Sequence, residues 1–267
     1  MEPILEEMVT WARQAGSILR DGYGRQHHID HKGRVDLVTE MDHRSEAYLL
    51  EQIRARFPEH SIETEESGFL PGANQARWYI DPLDGTTNYA HAIPFFCVSL
   101  AFARDNQVEL GVVYEPMRDE CFSAQRGQGA WLNGAPVHVS QTRDMLHSLL
   151  TTGFPYEPHS VQESNLPAFV HFTPLSQGVR RLGAAALDLC FVAAGRFEGY
   201  WEQTLQPYDF AAGALIVQEA GGVVTSLDGQ PDLFRPPYAI LAGNPAIHAQ
   251  MMAEFQKIEA SATRNEG

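Results

Sequence analysis

Basic residues are scarce in this chain: 19 Lys and Arg stand against 34 Asp and Glu, for a formal net charge of −15. The cations are scattered, with only pairs such as Arg180-Arg181 adjacent. No basic stripe is present to meet a polyanion, which argues against nucleic acid or an anionic membrane as a main partner. Cysteine is almost missing. Cys97, Cys121 and Cys190 each sit in an apolar run, as in FFCVSL and LDLCFVAAG. There is no CxxC, and three thiols at these spacings fit no disulfide framework or zinc site. They read as core thiols in a reducing cytoplasm. Long apolar runs are also absent, and none approaches the roughly 20 residues of a membrane span. The N-terminal MEPILEEMVTWARQAG carries early acids and no apolar centre, so a signal peptide is not expected.

What is present is a length of 267 residues with 44% hydrophobic content, enough for one large α/β unit. Residues 3–21 read as an amphipathic helix, with Ile4, Leu5, Met8, Ala12, Ala15, Ile18 and Leu19 at helical spacing and Gly22 as a stop. A second helix is expected from Met41 to Phe57. Strands are expected at 77–81, 95–103, 108–116 and 120–125, followed by a hairpin-like GQGAWLNG. The second half alternates: a strand in HSLLTTG, a helix within 161–171, a helix in AAALDLCFVAAG and a strand in RFEGYWE. A helix in DFAAGALIVQEAGG, a strand in YAILAGN and a helix in PAIHAQMMAEFQKI follow. There is no repeat and no linker. The expectation is a single domain over 1–267, with subdomains near 1–145 and 146–258 and a polar, frayed tail at 259–267.

The acids are the chemically informative residues. IDPLDGTTNYAHAIPFF places Asp81 and Asp84 around a proline and a leucine, where Pro82 and Gly85 disfavour a helix. A turn aiming two carboxylates at something is expected. Glu65 and Glu66 lie in IETEESG, Asp42 in VDLVTEMD, and Asp209 opens DFAAGALIVQEAGG. Each has a structural reading as well: Asp209 as a helix N-cap, Asp84 as a turn initiator, Glu65-Glu66 as a solvated pair. Together they would need a cation, because two like charges about 4 Å apart repel by roughly 4 kcal/mol at an effective dielectric near 20. Hard oxygens, with the Thr86 hydroxyl and the Leu83 carbonyl among them, suit Mg²⁺.

The same segments carry a resemblance. IDPLDGTTNYAHAIPFF closely resembles the signature of the inositol monophosphatase family, and YDFAAGALIVQEAGG its second signature. VDLVTEMD, ETEESG and LGAAALDLCFVAAGRFEGYWE are similar to further family segments, in order, from about Ala12 to Phe255. TTGFPY resembles the bacterial members. The resemblance implies a layered α-β-α-β-α sandwich of the inositol monophosphatase and fructose-1,6-bisphosphatase type, usually a homodimer. It implies hydrolysis of phosphate monoesters with Mg²⁺, two to three ions per site, and inhibition by Li⁺. Carried over by position, Glu65, Asp81, the Leu83 carbonyl and Thr86 would hold one ion, and Asp81, Asp84 and Asp209 a second. Glu65 would also touch a third. Asp42 and Thr86 would orient the attacking water, with Asp42, Glu65 and Thr86 as the catalytic set. Substrate phosphate would meet Asp84, Gly85, Thr86, Thr87, Gly183, Ala184 and Ala185, and Glu202 would bind hydroxyls of the alcohol.

Three positions depart from the family pattern. A Lys is common near His31, where His31 or Lys32 stands here. Thr or Ser is common at Ala184, and Trp at Tyr208. The resemblance leaves other phosphatases of the superfamily open: fructose-1,6-bisphosphatase, nucleotide 3′-phosphatase or histidinol-phosphatase. The retained DGTTN favours inositol phosphates. A further possibility of another class is an interaction protein of the transcription machinery. The expected setting is the cytoplasm, the expected partner a small phosphate monoester, and no membrane.

Overall fold

The computed structural model describes residues 3–25, 29–31, 37–155 and 164–265, with the side chains of 29–31, 37–38 and 262–265 excepted. Helix α1 (Leu5–Gly22) buries Met8, Trp11, Ala12, Ala15 and Leu19. Ile4, expected on that stripe, precedes the first turn as the N-cap and stays exposed, and the Trp11 indole fills the core instead. Strands β1 (Ile29–His31) and β2 (Leu37–Thr39) pair antiparallel and lead into α2 (Glu40–Arg56). A reciprocal cap starts α2: the Thr39 hydroxyl accepts the Met41 N–H, and the Asp42 carboxylate accepts the Thr39 N–H.

Next come β3 (Ser61–Thr64), β4 (Gly68–Leu70), β5 (Ala76–Asp84), the short helix α3 (Thr86–Ala90) and β6 (Cys97–Arg104). Strands β7 (Gln107–Glu115), β8 (Glu120–Gln125), β9 (Ala130–Leu132) and β10 (Ala135–Pro136) continue a meander. They form one sheet in the order β10-β9-β8-β7-β6-β5-β3-β4, antiparallel except for the parallel pair β3–β5. The second half supplies β11 (Leu149–Thr152), α4 (Leu166–Phe172), β12 (Gly178–Arg180) and α5 (Ala185–Ala193). Strand β13 (Gly199–Gln203), α6 (Pro207–Glu219), β14 (Val223–Thr225), β15 (Ala239–Gly243) and α7 (Pro245–Asn265) complete it. A five-stranded mixed sheet results, in the order β12-β11-β13-β15-β14, with β11 parallel to both neighbours.

Both sheets are covered on both faces, and strand periodicity explains how. On β5, Trp78 and Ile80 enter the core shared with α1 and α2, while Tyr79 between them faces the core of α5 and α6. On β13, Tyr200 joins that same α5–α6 core, and Trp201 joins the core of α4 and α7. The layers therefore run helices, eight-stranded sheet, α5 and α6, five-stranded sheet, helices: the α-β-α-β-α sandwich. Close approach sets the spacing at two glycines. A Cβ on Gly16 of α1 would lie 2.5 Å from the Tyr114 ring of β7. A Cβ on Gly213 of α6 would lie 2.7 Å from the Leu189 side chain of α5.

Several elements differ from the sequence expectation. Strands β3, β4, β12 and β14 are extra; each is only three or four residues long and owes its extension to a neighbour. The first three residues of RFEGYWE turn after Gly195, and the strand starts at Gly199. Helix α7 runs to Asn265, through most of the segment expected to fray. The helix expected within 161–171 is α4, shifted towards Phe172; residues 161–163 lie outside the described ones. No helix among the described residues is long and apolar enough to cross a membrane.

Asn165 ties the second half together. Fully buried, it donates to the Thr152 hydroxyl and the Gly153 carbonyl and accepts the Trp201 indole N–H. Its φ of 64° lies in the left-handed region, which asparagine tolerates. Asn165→Ala should therefore lower unfolding free energy by roughly 2–4 kcal/mol, from an orphaned buried indole donor plus backbone strain. Chemical denaturation measures it; a loss under about 0.5 kcal/mol would mean that water replaces the amide.

Candidate active site

The acids of the IDPLD segment sit on β5, at the end where it leaves the sheet. Asp81 pairs with Ser99 of β6 and Asp84 with Cys97, so three steps along β5 oppose two along β6. The Pro82-Leu83 pair is thus a β-bulge inside a continuing strand, where a turn was expected. Proline cannot donate to the ladder and is tolerated at such a defect. The extra residue re-aims Asp84, and the chain then turns at Gly85, whose φ of 97° favours glycine. Thr86 opens α3 directly after it.

A cavity of about 300 Å³ collects these residues with distant ones. Glu65 comes from the turn between β3 and β4, Asp81, Leu83 and Asp84 from the bulge, Gly85 and Thr86 from the start of α3. Gly183, Ala184 and Ala185 line it from the start of α5, Glu202 from β13, and Asp209 from the first turn of α6. Asp42 lies just behind, fully buried, with its carboxylate accepting the Thr86 hydroxyl at 3.0 Å. Thr87 is not in the cavity wall; its carbonyl accepts the His91 N–H as part of the α3 end. Lys32 lies outside the described residues. His31 is placed as backbone in β1, its side chain outside the described set.

Asp81, Asp84 and Asp209 are held by backbone donors. Asp81 accepts the Leu83 N–H at 3.0 Å. Asp84 accepts the Ala186 N–H at 2.8 Å, the Ala185 N–H at 3.2 Å and the Cys97 thiol at 3.5 Å. The positive end of α5 thus serves an aspartate, and the Ala185 N–H that the resemblance offers to substrate phosphate is engaged here by Asp84. Ala184 is the N-cap of α5 and brings no side-chain bond, which makes its departure from Thr or Ser visible. Asp209 is not an N-cap. Helix α6 starts two residues earlier, Gln206 is the cap, and the Asp209 carboxylate accepts the Gln206 N–H at 2.6 Å. Tyr208 presents its carbonyl to the Ser99 hydroxyl at 3.4 Å.

Charge is strained in this cluster. Burial raises the Asp81 carboxyl well above the usual range, and Glu65, Asp84 and Asp209 push it further. Asp209 is raised well above that range by burial, with Glu65, Asp84 and Glu202 adding to it against the Gln206 N–H. Asp84 is pushed up to about 6 by burial, with the Ala186 and Ala185 N–H groups and Cys97 holding it down. Glu202 reaches about 7 through burial, opposed by the Tyr200 hydroxyl at 2.6 Å and by Arg181. Among the described residues, no three His, Cys, Asp or Glu side chains already close on one point. The carboxylates ring the cavity instead. An all-oxygen set with this much mutual repulsion fits a hard divalent cation.

Three features were missed in the sequence. Arg181, noted only as one of a pair, is the cation in the cavity wall. Gly153 is required by Glu202, whose carboxylate occupies the space a Cβ there would need, at 2.0–2.1 Å. Asp188 of α5 is a fully buried acid accepting the Thr151 hydroxyl at 2.9 Å and raised well above the usual range by burial. Only the adjacency of Arg181 to LGAAA could have signalled any of them.

Comparison with known proteins gives a consistent picture. A family model described as the inositol monophosphatase family matches residues 1–260. An inositol-1-monophosphatase of Synechocystis is 47% identical over 239 residues, covering 89% of this chain and 83% of the relative. Nus factor SuhB of Escherichia coli K12 is 42% identical over 259 residues, covering 96% of this chain and 97% of the relative. The solved inositol monophosphatase of Anabaena superposes with a TM-score of 0.86 at 42% identity, covering 95% of each chain.

The raised carboxyls set a pH dependence. Their folded pKa values exceed the unfolded ones, so the folded chain binds more protons, and stability falls as pH rises through that window. Between pH 6 and 8, Asp84 at about 6 and Glu202 at about 7 should together cost on the order of 2 kcal/mol in chelator-treated protein. Mg²⁺ should raise the melting temperature more at pH 8 than at pH 6. A melting temperature in chelator that does not fall over this range would mean that the acids do not strain one another.

Proposed function

The chain belongs to the inositol monophosphatase family, and from that premise we propose that it is a metal-dependent phosphate monoester hydrolase acting on myo-inositol 1-phosphate or a related sugar phosphate. One observation carries the reading: Glu65, Asp81, Asp84 and Asp209, from three separate segments, line a single cavity with Thr86 and the start of α5. The family is metal-dependent, and the donor set here fits Mg²⁺, two or three ions as the resemblance implies. Glu65, Asp81, the Leu83 carbonyl, Thr86, Asp84 and Asp209 would hold it. Bound there, Mg²⁺ supplies activation of water and neutralisation of phosphoryl and leaving-group charge.

The chain's own residues do the rest. Asp42 accepts the Thr86 hydroxyl proton at 3.0 Å, which leaves the Thr86 oxygen lone pairs to orient a water. The Thr86 hydroxyl also lies 3.0 Å from the Leu83 carbonyl, so its rotation is confined. Backbone N–H groups after Gly85 and at the α5 start would meet the phosphate as the resemblance implies, those of Ala185 and Ala186 on release from Asp84. Glu202, seated on Gly153 and held by Tyr200, is placed to accept ring hydroxyls of the alcohol. Phe154 and Leu205 give the cavity an apolar rim that limits water. The DGTTN motif favours inositol phosphates over the bisphosphatase, nucleotide and histidinol alternatives, as the resemblance implies. A homodimer in the cytoplasm is the state the resemblance implies. Relatives named Nus factor SuhB support a second, compatible reading as an interaction protein of the transcription machinery; co-elution with RNA polymerase tests it.

A phosphate-release screen over myo-inositol 1-phosphate, fructose 1,6-bisphosphate, a nucleotide 3′-phosphate and histidinol phosphate tests the main reading. Release from the inositol ester should need Mg²⁺ and fall with Li⁺; full activity in excess chelator would refute the metal assignment. Glu202→Gln should slow hydrolysis of inositol phosphate roughly tenfold, the worth of a hydrogen bond to a charged group, and leave p-nitrophenyl phosphate nearly unchanged. An equal loss on both substrates would make Glu202 a support of the metal site.

A further inference from the structure

One face of α2 reaches the β5 bulge, the start of α3 and the turn between β3 and β4. Asp42, Ser45 and Glu46 stand at i, i+3 and i+4, neighbours on a helix surface, and all three are buried. Asp42 accepts the Thr86 hydroxyl at the start of α3. Ser45 donates to the Pro82 carbonyl at 2.8 Å, inside the bulge between Asp81 and Asp84. Glu46 accepts the Ser67 N–H at 3.1 Å, in the turn that carries Glu65. The helix itself is fixed to the sheet by Met41, Leu49 and Ile53, none of them exposed.

Glu46 is an expensive way to anchor a turn. Its second carboxyl oxygen, Oε2, is buried with no hydrogen-bond partner, as is the Thr64 hydroxyl at the start of the same turn. Buried polar atoms are normally satisfied, and a half-satisfied carboxyl does not stabilise a fold. A requirement on the position of the turn accounts for its presence.

We propose that Glu46 and Ser45 are positioning residues: the first turns of α2 act as a frame that sets the spacing of Glu65 against Asp81 and Asp84, and through it the affinity for Mg²⁺. This rests on the metal-dependent reading above. Small displacements of ligands held by such surrounding contacts commonly change metal affinity 10- to 100-fold.

The test uses the full chain, with Mg²⁺ alone as the probe. Glu46→Ala should weaken calorimetric Mg²⁺ binding about tenfold and raise the Mg²⁺ concentration for half-maximal activity by the same factor. At saturating Mg²⁺ its KM should match wild type. The Ser67 amide should lose hydrogen-exchange protection without metal present, an effect independent of turnover. Glu46→Gln retains an acceptor for the Ser67 N–H and should recover Mg²⁺ binding to within about threefold of wild type. Ser45→Ala should weaken Mg²⁺ binding by a smaller factor and leave Ser67 protection intact. Wild-type Mg²⁺ affinity in folded Glu46→Ala would overturn the proposal, as would a Glu46→Gln variant no better than Glu46→Ala. A wild-type chain that binds no Mg²⁺ would instead overturn the metal-dependent reading itself, and the frame with it.

Discussion

The mutual repulsion of four carboxylates around one cavity is the constraint the rest of this structure answers. Glu65, Asp84 and Asp209 raise the proton affinity of Asp81, and Glu65 and Asp84 that of Asp209, on top of the effect of burial. Left to flexible loops, they would separate and hydrate. Each is instead carried by a regular element or a tight turn, and Asp81, Asp84 and Asp209 have backbone N–H groups fixing an oxygen. The anchoring donors come from backbone of the bulge, the α5 start and the α6 start, which cannot move away without breaking a strand or a helix start. Rigid anchoring of this kind is what a cation site of hard ligands needs.

The five-layer sandwich makes that rigidity available. With both faces of both sheets covered, strands such as β5 are buried along nearly their whole length and have little freedom. The acids then appear where β5 leaves the sheet and where α5 and α6 begin. Helix starts present unpaired N–H groups and a favourable dipole to negative charge. Asp84 uses the α5 start, and an anionic ligand would use the same end. Under the metal-dependent reading, a cation on Asp84 would compete with those N–H groups for its oxygens.

Another part of the cavity wall is built differently. Glu202, Arg181 and Gly153 also line it, and Glu202 packs where any side chain at 153 would sit. Tyr200 donates to its carboxylate and Trp201, the next residue, points to the other face into the α4–α7 core. Strand alternation thus makes one residue pair serve both recognition and packing. Exposed Arg181 adds positive charge to an otherwise acidic pocket.

The sequence by itself determined the long elements and the central motif. Helices α1 and α2 carry apolar stripes and α6 a long apolar run ended by Gly221-Gly222, all readable locally, and Asp81, Asp84 and Thr86 lie within six residues, so no folding could part them. Resemblance in ordered segments then joined Glu65, Asp42, Asp209 and Glu202 to that motif. Only the tertiary structure decided the bulge at Pro82-Leu83, the short strands β3, β4, β12 and β14, and the engagement of the α5 N–H groups by Asp84. It also decided the roles of Arg181, Gly153, Ser45 and Glu46. The physical reason is common to all of these. A three-residue strand, a bulge or a buried acid has no periodic signature of its own; it exists because a partner distant in the chain supplies the hydrogen bond or takes up the space.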